Sequence, residues 1–261
     1  MALLALTRMT IADGVRQPLT WMAVGLSVGL IALSYAFGMF NFETQDRVRM
    51  LCTAGVSIAI LNGLFLGVIL ASTAIHDELA SRTALTLFAK PLSRGRYLAG
   101  KALGVWLVVL AASAVVVLAH LIALGIAQWT QWEDVSHGHS HGGGEDLWIP
   151  WGRLMAAHGL AACHAALTSG LAAVLALRLP LIANILACFA IFILGHLLPG
   201  LGVAGAVVIP ALAFFNVDDA LQLASQALPW GYALLAFLYA LLCYAGCGLL
   251  GLAVFARQDI P

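Results

Sequence analysis

The chain has 261 residues, of which 62% are hydrophobic and 9% are charged, and its mean hydropathy is +1.00. A soluble domain carries about 25% charged residues, so this composition excludes a soluble globular protein and indicates an integral membrane protein. The formal net charge is zero and the five cysteines include no CxxC pair, so neither nucleic-acid binding nor a redox centre is predicted.

The N-terminal stretch 1–18 mixes apolar and charged residues. Leu4, Ile11 and Val15 fall on one face of a helix, with Arg8 beside them. This modest amphipathicity predicts an interfacial helix that lies on the cytoplasmic leaflet. The alternative is a frayed cytosolic tail.

Long apolar segments predict the membrane spans. Crossing about 30 Å of hydrocarbon takes about 20 apolar residues in a helix. Six segments qualify, near 19–38, 51–74, 99–128, 151–177, 181–198 and 230–255. The first contains Gly25-x-x-x-Gly29, a spacing that allows a neighbouring helix to approach closely. The sequence therefore predicts an all-α integral membrane protein with six transmembrane helices in a single domain, 1–261.

The region 199–229, between the fifth and sixth spans, is rich in helix breakers. Pro199 and Gly200 are expected to break the fifth span, and Pro210 interrupts the short apolar run 203–215. We expect two short re-entrant or interfacial pieces packed within the bundle, because non-helical backbone at membrane depth needs protein or water around it. If 203–215 crossed the membrane, the number of spans would be seven.

The distribution of Lys and Arg predicts the orientation of the spans. With six spans and the N-terminus inside, every Lys and Arg is cytoplasmic except Arg47, Arg49 and Arg153. Both termini and the segment 75–98 are therefore expected in the cytoplasm. The loop 129–150 is expected outside, where four nearby tryptophans suit an interfacial aromatic belt.

The cytoplasmic stretch Ile75–Lys101 separates the second and third spans and is the most charged part of the chain. Residues 75–89 favour a helix, with the acidic pair Asp77 and Glu78 in its first turn, where the macrodipole favours negative charge. Glu78 and Arg82 are spaced i,i+4, which predicts an ion pair on one helix face.

A second helix is predicted to follow a rigid turn. Pro91 stops the first helix, and Ser93 can cap a helix that begins at Arg94 and continues into the third span. The basic residues from Lys90 to Lys101 are then expected to form a collar at the membrane surface. The nearby run from Gly95 to Ala102 resembles a phosphate loop but lacks its Ser or Thr and opens a membrane helix, so no nucleotide site is predicted.

This polar segment, which is expected to be exposed to solvent, also contains three apolar residues, Leu79, Leu87 and Phe88. Exposed apolar side chains on a charged helix indicate a protein contact. The alternative is an ordinary solvated loop whose basic residues only set the topology.

Part of this segment resembles a family pattern. The matching residues are Asp77-Glu78, Ser81-Arg82-Thr83, Ala89-Lys90-Pro91-Leu92-Ser93-Arg94, Tyr97 and Gly100-Lys101. They are similar to the E…T…L…KP(V/L)SR…Y…GK run of ABC-2 type permeases. In particular, they resemble permeases grouped with multicopper-enzyme and nitrous-oxide reductase maturation transporters. The interfacial helix, the six spans, the broken region before the last span and the terminal FARQDI fit the same plan.

The resemblance implies a transporter subunit without catalysis of its own. It implies that 1–261 is one permease domain of an exporter with a dimeric pore in a bacterial inner membrane. It further implies that 75–89 is a coupling helix that docks on a separate ATPase, which binds ATP and Mg²⁺. The expected contact residues are Asp77, Glu78, Leu79, Arg82, Thr83, Leu87 and Phe88. A periplasmic accessory protein is a further expected partner.

The outer loop contains a histidine-rich tract. His137, His139 and His141 alternate beside four carboxylates, a combination that suits Zn²⁺ or Cu²⁺. The adjoining glycines leave the tract flexible, so ordering it around a metal would cost affinity. The simpler alternative is a flexible polar loop with no metal.

Histidines also occur within the spans, at positions 120, 158, 164 and 196. Ionisable residues in a membrane indicate function by default. The alternative, which we favour, is neutral histidine hydrogen-bonded to a neighbouring helix. A secondary metal-ion carrier that uses the His-rich loop is the second function considered, although such carriers place acidic residues beside the histidines and the middles of these spans carry none. A membrane protease is not indicated, because the sequence contains no HExxH motif.

Overall fold

A computed structural model of the protein describes residues 2–41, 44–80, 93–130, 149–201, 209–218, 221 and 228–256. Within these ranges the chain is helical and has no strand. The helices are α1 (Ala2–Arg16), α2 (Pro18–Asn41), α3 (Thr44–Ala80), α4 (Arg94–Trp129), α5 (Trp151–Leu175), α6 (Leu181–Leu201) and α7 (Trp230–Ala256). A short 3₁₀ turn occupies Leu212–Phe215.

Six of these helices, α2 to α7, are long and apolar enough to cross a membrane. This finding confirms the predicted six-span, all-α architecture. The second and third spans are longer than predicted, because α3 has 37 residues and α4 has 36. At 1.5 Å per residue each is about 55 Å long, well beyond the hydrocarbon thickness of about 30 Å. Their ends therefore extend past the hydrocarbon core.

The core of the bundle is formed by α3 and α5. In each, 67% of the most apolar stretch is buried, against 11% in α7. The two helices approach closely through small residues, since a Cβ added at Gly63 would lie 2.7 Å from the Cβ of Ala165. Gly25 and Gly29 of the predicted packing motif meet nothing within 4 Å. The close approach within the described chain therefore uses Gly63 rather than the predicted motif.

The N-terminal helix α1 packs lengthwise on α4. Thr7 Oγ1 donates to the carbonyl of Gly100 at 3.3 Å, and a Cβ at Gly104 would lie 2.5 Å from the Cβ of Thr10. The predicted apolar face is divided: Leu4 is 66% exposed and Val15 is 39% exposed, whereas Ile11 packs partly buried against the core. Only the exposed part of this face is available to lipid, as an interfacial helix requires.

The fifth span does not break where the sequence predicted. The helix α6 continues through Pro199 and Gly200 and ends at Leu201. Pro199 has only two helical residues after it, so the backbone hydrogen bond that it removes lies in the last turn. The breaker residues therefore end the helix slightly later than predicted.

The 3₁₀ turn Leu212–Phe215 packs inside the bundle, against α5 and α6. Leu212 and Phe215 are buried, and two tyrosines of α7 satisfy the non-helical backbone around them. The Ala211 N–H donates to Tyr239 Oη at 2.7 Å, and Tyr232 Oη donates to the Phe214 carbonyl at 2.7 Å. These bonds are what backbone outside a helix needs at membrane depth. The remaining course of the predicted re-entrant region lies outside the described residues.

Candidate functional site

The residues predicted to contact a partner divide into two groups. Asp77 and Glu78 lie in the last turn of α3. The side chain of Leu79 and the residues Arg82, Thr83, Leu87 and Phe88 lie outside the described residues, as do His137, His139 and His141. The described part of the site therefore consists of the two helix ends that flank 81–92.

Glu78 joins these two helix ends. Its carboxylate accepts from Lys101 Nζ at 2.5 Å and from Tyr97 Oη at 2.7 Å, and both partners are on α4. Lys101 is 2% exposed and Tyr97 is fully buried. We call Glu78, Tyr97 and Lys101 the Glu78 clamp. Because a buried charge requires a partner, the Lys101 ammonium depends on Glu78.

The clamp corrects one sequence prediction and adds contacts that the sequence did not indicate. Both carboxylate oxygens of Glu78 contact α4, and its predicted partner Arg82 lies outside the described residues. Lys101 was expected among solvent-exposed basic residues at the membrane surface, whereas it is buried beneath the end of α3. The reason is that α3 and α4 continue past the membrane as neighbours, so Lys101 faces α3 rather than water.

The start of α4 is also tied to the end of α7. Ser93 caps α4, as predicted, by accepting from the Arg96 N–H at 3.4 Å. Arg94 donates to the carbonyl of Phe255 at 2.6 Å and to that of Ala256 at 3.2 Å. These carbonyls belong to the last turn of α7, where the macrodipole favours a cation. We call the end of the bundle with Glu78, Arg94 and Ala256 the charged end.

A cleft of about 400 Å³ opens beside the clamp, between α1, α3 and α4. Its charged lining consists of Asp13, Arg16, Asp77, Glu78 and Lys101. Sequence reasoning placed Asp13 and Arg16 on an isolated amphipathic helix and so missed their meeting with α3. The cleft presents both signs of charge at the charged end, where Asp77 is exposed. Such a surface suits a polar protein partner.

Two of the intramembrane histidines form a pair between helices. His120 Nδ1 lies 3.1 Å from His158 Nε2, and His120 Nε2 lies 3.0 Å from the Leu51 carbonyl. A carbonyl only accepts, so His120 carries its hydrogen on Nε2 and His158 donates from its own Nε2. A Cβ at Gly55 would overlap the His120 ring, so the glycine makes room for it. The pair confirms the prediction of histidine hydrogen-bonded to a neighbouring helix.

The other two histidines lie together elsewhere. His164 is fully buried among the rings of Phe192, His196 and Phe215, with centroids 5.5, 5.9 and 6.0 Å away. Neither of its ring nitrogens has a hydrogen-bond partner within the described part of the chain. His196 instead bonds the Phe192 carbonyl of its own helix at 2.9 Å. The described residues place no group of three or more His, Cys, Asp or Glu side chains around a metal position.

A buried asparagine links three helices and was missed by sequence reasoning. The Asn184 side-chain amide donates to Ser72 Oγ at 2.8 Å and to the Ala172 carbonyl at 3.0 Å. A lone Asn in an apolar span was the available signal, because amides cross-link helices in membranes. These two hydrogen bonds hold α6 to α3 and to α5.

A comparison with family models gives one match. Residues 15–139, just under half of the chain, match a family model described as ABC-2 family transporter protein. The matched region contains the whole of α3 and α4 and therefore all of the Glu78 clamp. No curated protein matches the chain significantly.

Proposed function

We propose that this chain is an ABC-2 family transporter permease, the membrane subunit of an ABC transporter, and that it exports its substrate with energy from a separate ATPase subunit. As a permease of this family it is a transporter subunit and not itself catalytic. In this proposal ATP and Mg²⁺ bind to the partner, and the charged end faces the bacterial cytoplasm together with both termini.

The proposed docking element is Asp77–Phe88, at the charged end. Its position between two helices that extend past the hydrocarbon supports this role. The exposed Asp77 and the cleft with charges of both signs add a surface that a polar partner can recognise. The apolar residues Leu87 and Phe88 would supply the desolvated centre of such a contact.

The Glu78 clamp is the observation that carries the proposal. It joins the two helices that flank 81–92, so a displacement of that segment acts on α3 and α4 together. From there, Thr7 passes the displacement to α1 through its bond to Gly100, and Arg94 passes it to α7. Packed helices transmit such shifts because their interfaces resist continuous deformation.

The experiment is co-purification of the permease with its ATPase. Arg82→Glu and Leu87→Asp are expected to abolish association while the permease still inserts into the membrane. Glu78 is left intact here, because changing it would also break the clamp. Arg49→Glu is the matched control, since Arg49 is an exposed arginine of α3 at the opposite end. Normal association of the Arg82 and Leu87 variants would contradict the docking role.

The pore is proposed to form between two copies of the permease. The helix α2 supports this, because Gly25 and Gly29 of its close-packing motif are open to a neighbour. Disulfide cross-linking through Gly25→Cys is expected to trap a dimer, and Gly159→Cys, equally open on α5, is the control. If only the Gly159→Cys variant forms a cross-linked dimer, the interface does not involve α2.

A further inference from the structure

An apolar groove of about 460 Å³ runs along the outside of the bundle, between α4, α5 and α7. It extends from Gly95 to Leu103 on α4, which is about 12 Å at the rise of a helix. Its floor is closed where Gly251 meets Leu98 and Val174, since a Cβ there would lie 2.7 Å from the Leu98 side chain. The groove is therefore a bounded depression and not a gap through the bundle.

Both ends of the groove are defined by contacts. At the charged end, a Cβ at Gly95 would lie 2.9 Å from Leu252. At the other end, Gly170 lies under the ring of Tyr244, where a Cβ would lie 2.8 Å from the ring edge. Between them Gly248 meets nothing within 4 Å, so its missing side chain leaves part of the groove empty.

The position of the groove determines what can enter it. It opens on the least buried span, α7, where Leu249 is 69% exposed and Leu252 is 42% exposed. This surface lies within the membrane, and apolar walls offer a polar ligand almost no hydrogen-bond partners. The occupant is therefore a hydrocarbon chain, and the bilayer supplies acyl chains at this surface.

Two arginines follow residues of the groove wall in the sequence, near the charged end. Arg96 is one residue from Gly95, and Arg178 follows the end of α5, four residues beyond Val174. Both are exposed, and neither forms an ion pair within the described ranges of the chain. Arg94, by contrast, bonds the carbonyls at the end of α7. Guanidinium groups bind phosphate strongly, and their uncompensated charge favours an anionic ligand.

We propose that this groove binds an anionic phospholipid of the surrounding bilayer. One acyl chain lies in the groove between α4, α5 and α7, and Arg96 and Arg178 hold the headgroup. The bound lipid braces the same two helix ends that Arg94 connects. This inference needs only the membrane-spanning bundle, so it stands or fails separately from the proposed docking of an ATPase.

The test is titration of the purified, delipidated full-length chain with dioleoyl phosphatidylglycerol or dioleoyl phosphatidylcholine, followed by native mass spectrometry. Gly248→Leu fills the groove and is expected to weaken phosphatidylglycerol binding about tenfold, because an acyl chain loses buried apolar contact. Gly246→Leu is the matched control. It lies two residues away on the same helix, is equally open, and does not line the groove. It is expected to bind lipid normally.

The arginines test the headgroup half of the proposal. The double variant Arg96→Gln, Arg178→Gln is expected to lose the preference for phosphatidylglycerol over phosphatidylcholine and to keep acyl-chain binding. If Gly248→Leu does not fold, Ala102→Leu fills the groove from α4. Equal binding of both lipids by the unmodified chain would overturn the proposal. Unchanged phosphatidylglycerol binding in the groove-filling variant would also overturn it. So would a groove-filling variant that still binds lipid but no longer forms a dimer.

Discussion

Replacing Glu78 by Gln leaves the Lys101 ammonium buried without its counter-charge. The side chain of Lys101 is 3% exposed and that of Glu78 is 13% exposed, so water screens this pair little. Removing one partner of a buried ion pair costs about 3–5 kcal/mol, because the remaining charge stays desolvated. We expect Glu78→Gln to lower the free energy of unfolding by this amount, although the amide still reaches Tyr97.

The double variant Glu78→Gln, Lys101→Met separates the charge from the packing. Removing both charges of a buried pair is often nearly neutral, so most of the lost stability is expected to return. The assay is equilibrium unfolding of the purified chain in mixed micelles, followed by helical circular dichroism. The matched control is Asp46→Asn, which breaks the Arg49–Asp46 pair with side chains 43% and 53% exposed. That change is expected to cost less than about 1 kcal/mol.

Two results would refute this reasoning. If Glu78→Gln costs no more than Asp46→Asn, the clamp does not hold a buried charge. If the double variant loses the sum of the losses of Glu78→Gln and of the single variant Lys101→Met, the two side chains act independently and the ion pair does not couple α3 to α4.

Three further predictions concern other parts of the chain. Gly63→Leu is expected to prevent normal packing of α3 on α5 and to lower the monodisperse fraction in size-exclusion chromatography. Gly159→Leu places its side chain in open space and is expected to leave that fraction unchanged. Tyr239→Phe leaves the Ala211 N–H unpaired and is expected to cost about 1–3 kcal/mol in the same unfolding assay, unless that segment leaves the bundle. The hypothesis of a metal site in the 129–150 loop requires that replacing its three histidines by Ala lowers Zn²⁺ or Cu²⁺ affinity in calorimetry, and unchanged affinity would exclude that site.

Features that depend on neighbouring residues could be predicted from the sequence. The six spans follow from the length and hydropathy of each apolar run, and the structure confirms them. The cap at Ser93 depends only on residues within one helical turn, and it is also confirmed. Even so, α3 continues past the predicted end of its span at 74, where bonds from Glu78 to α4 support the last helical turn.

The partners of the polar residues were decided by the tertiary structure alone. Glu78 bonds residues 19 and 23 positions away, and His120 bonds a histidine 38 positions away on another helix. The same applies to close helix packing, which uses Gly63 and leaves Gly25 open. In a span that is apolar on every side, hydropathy does not tell which face meets which helix. That choice depends on the rotation and register of all six spans together, and only the assembled bundle specifies both.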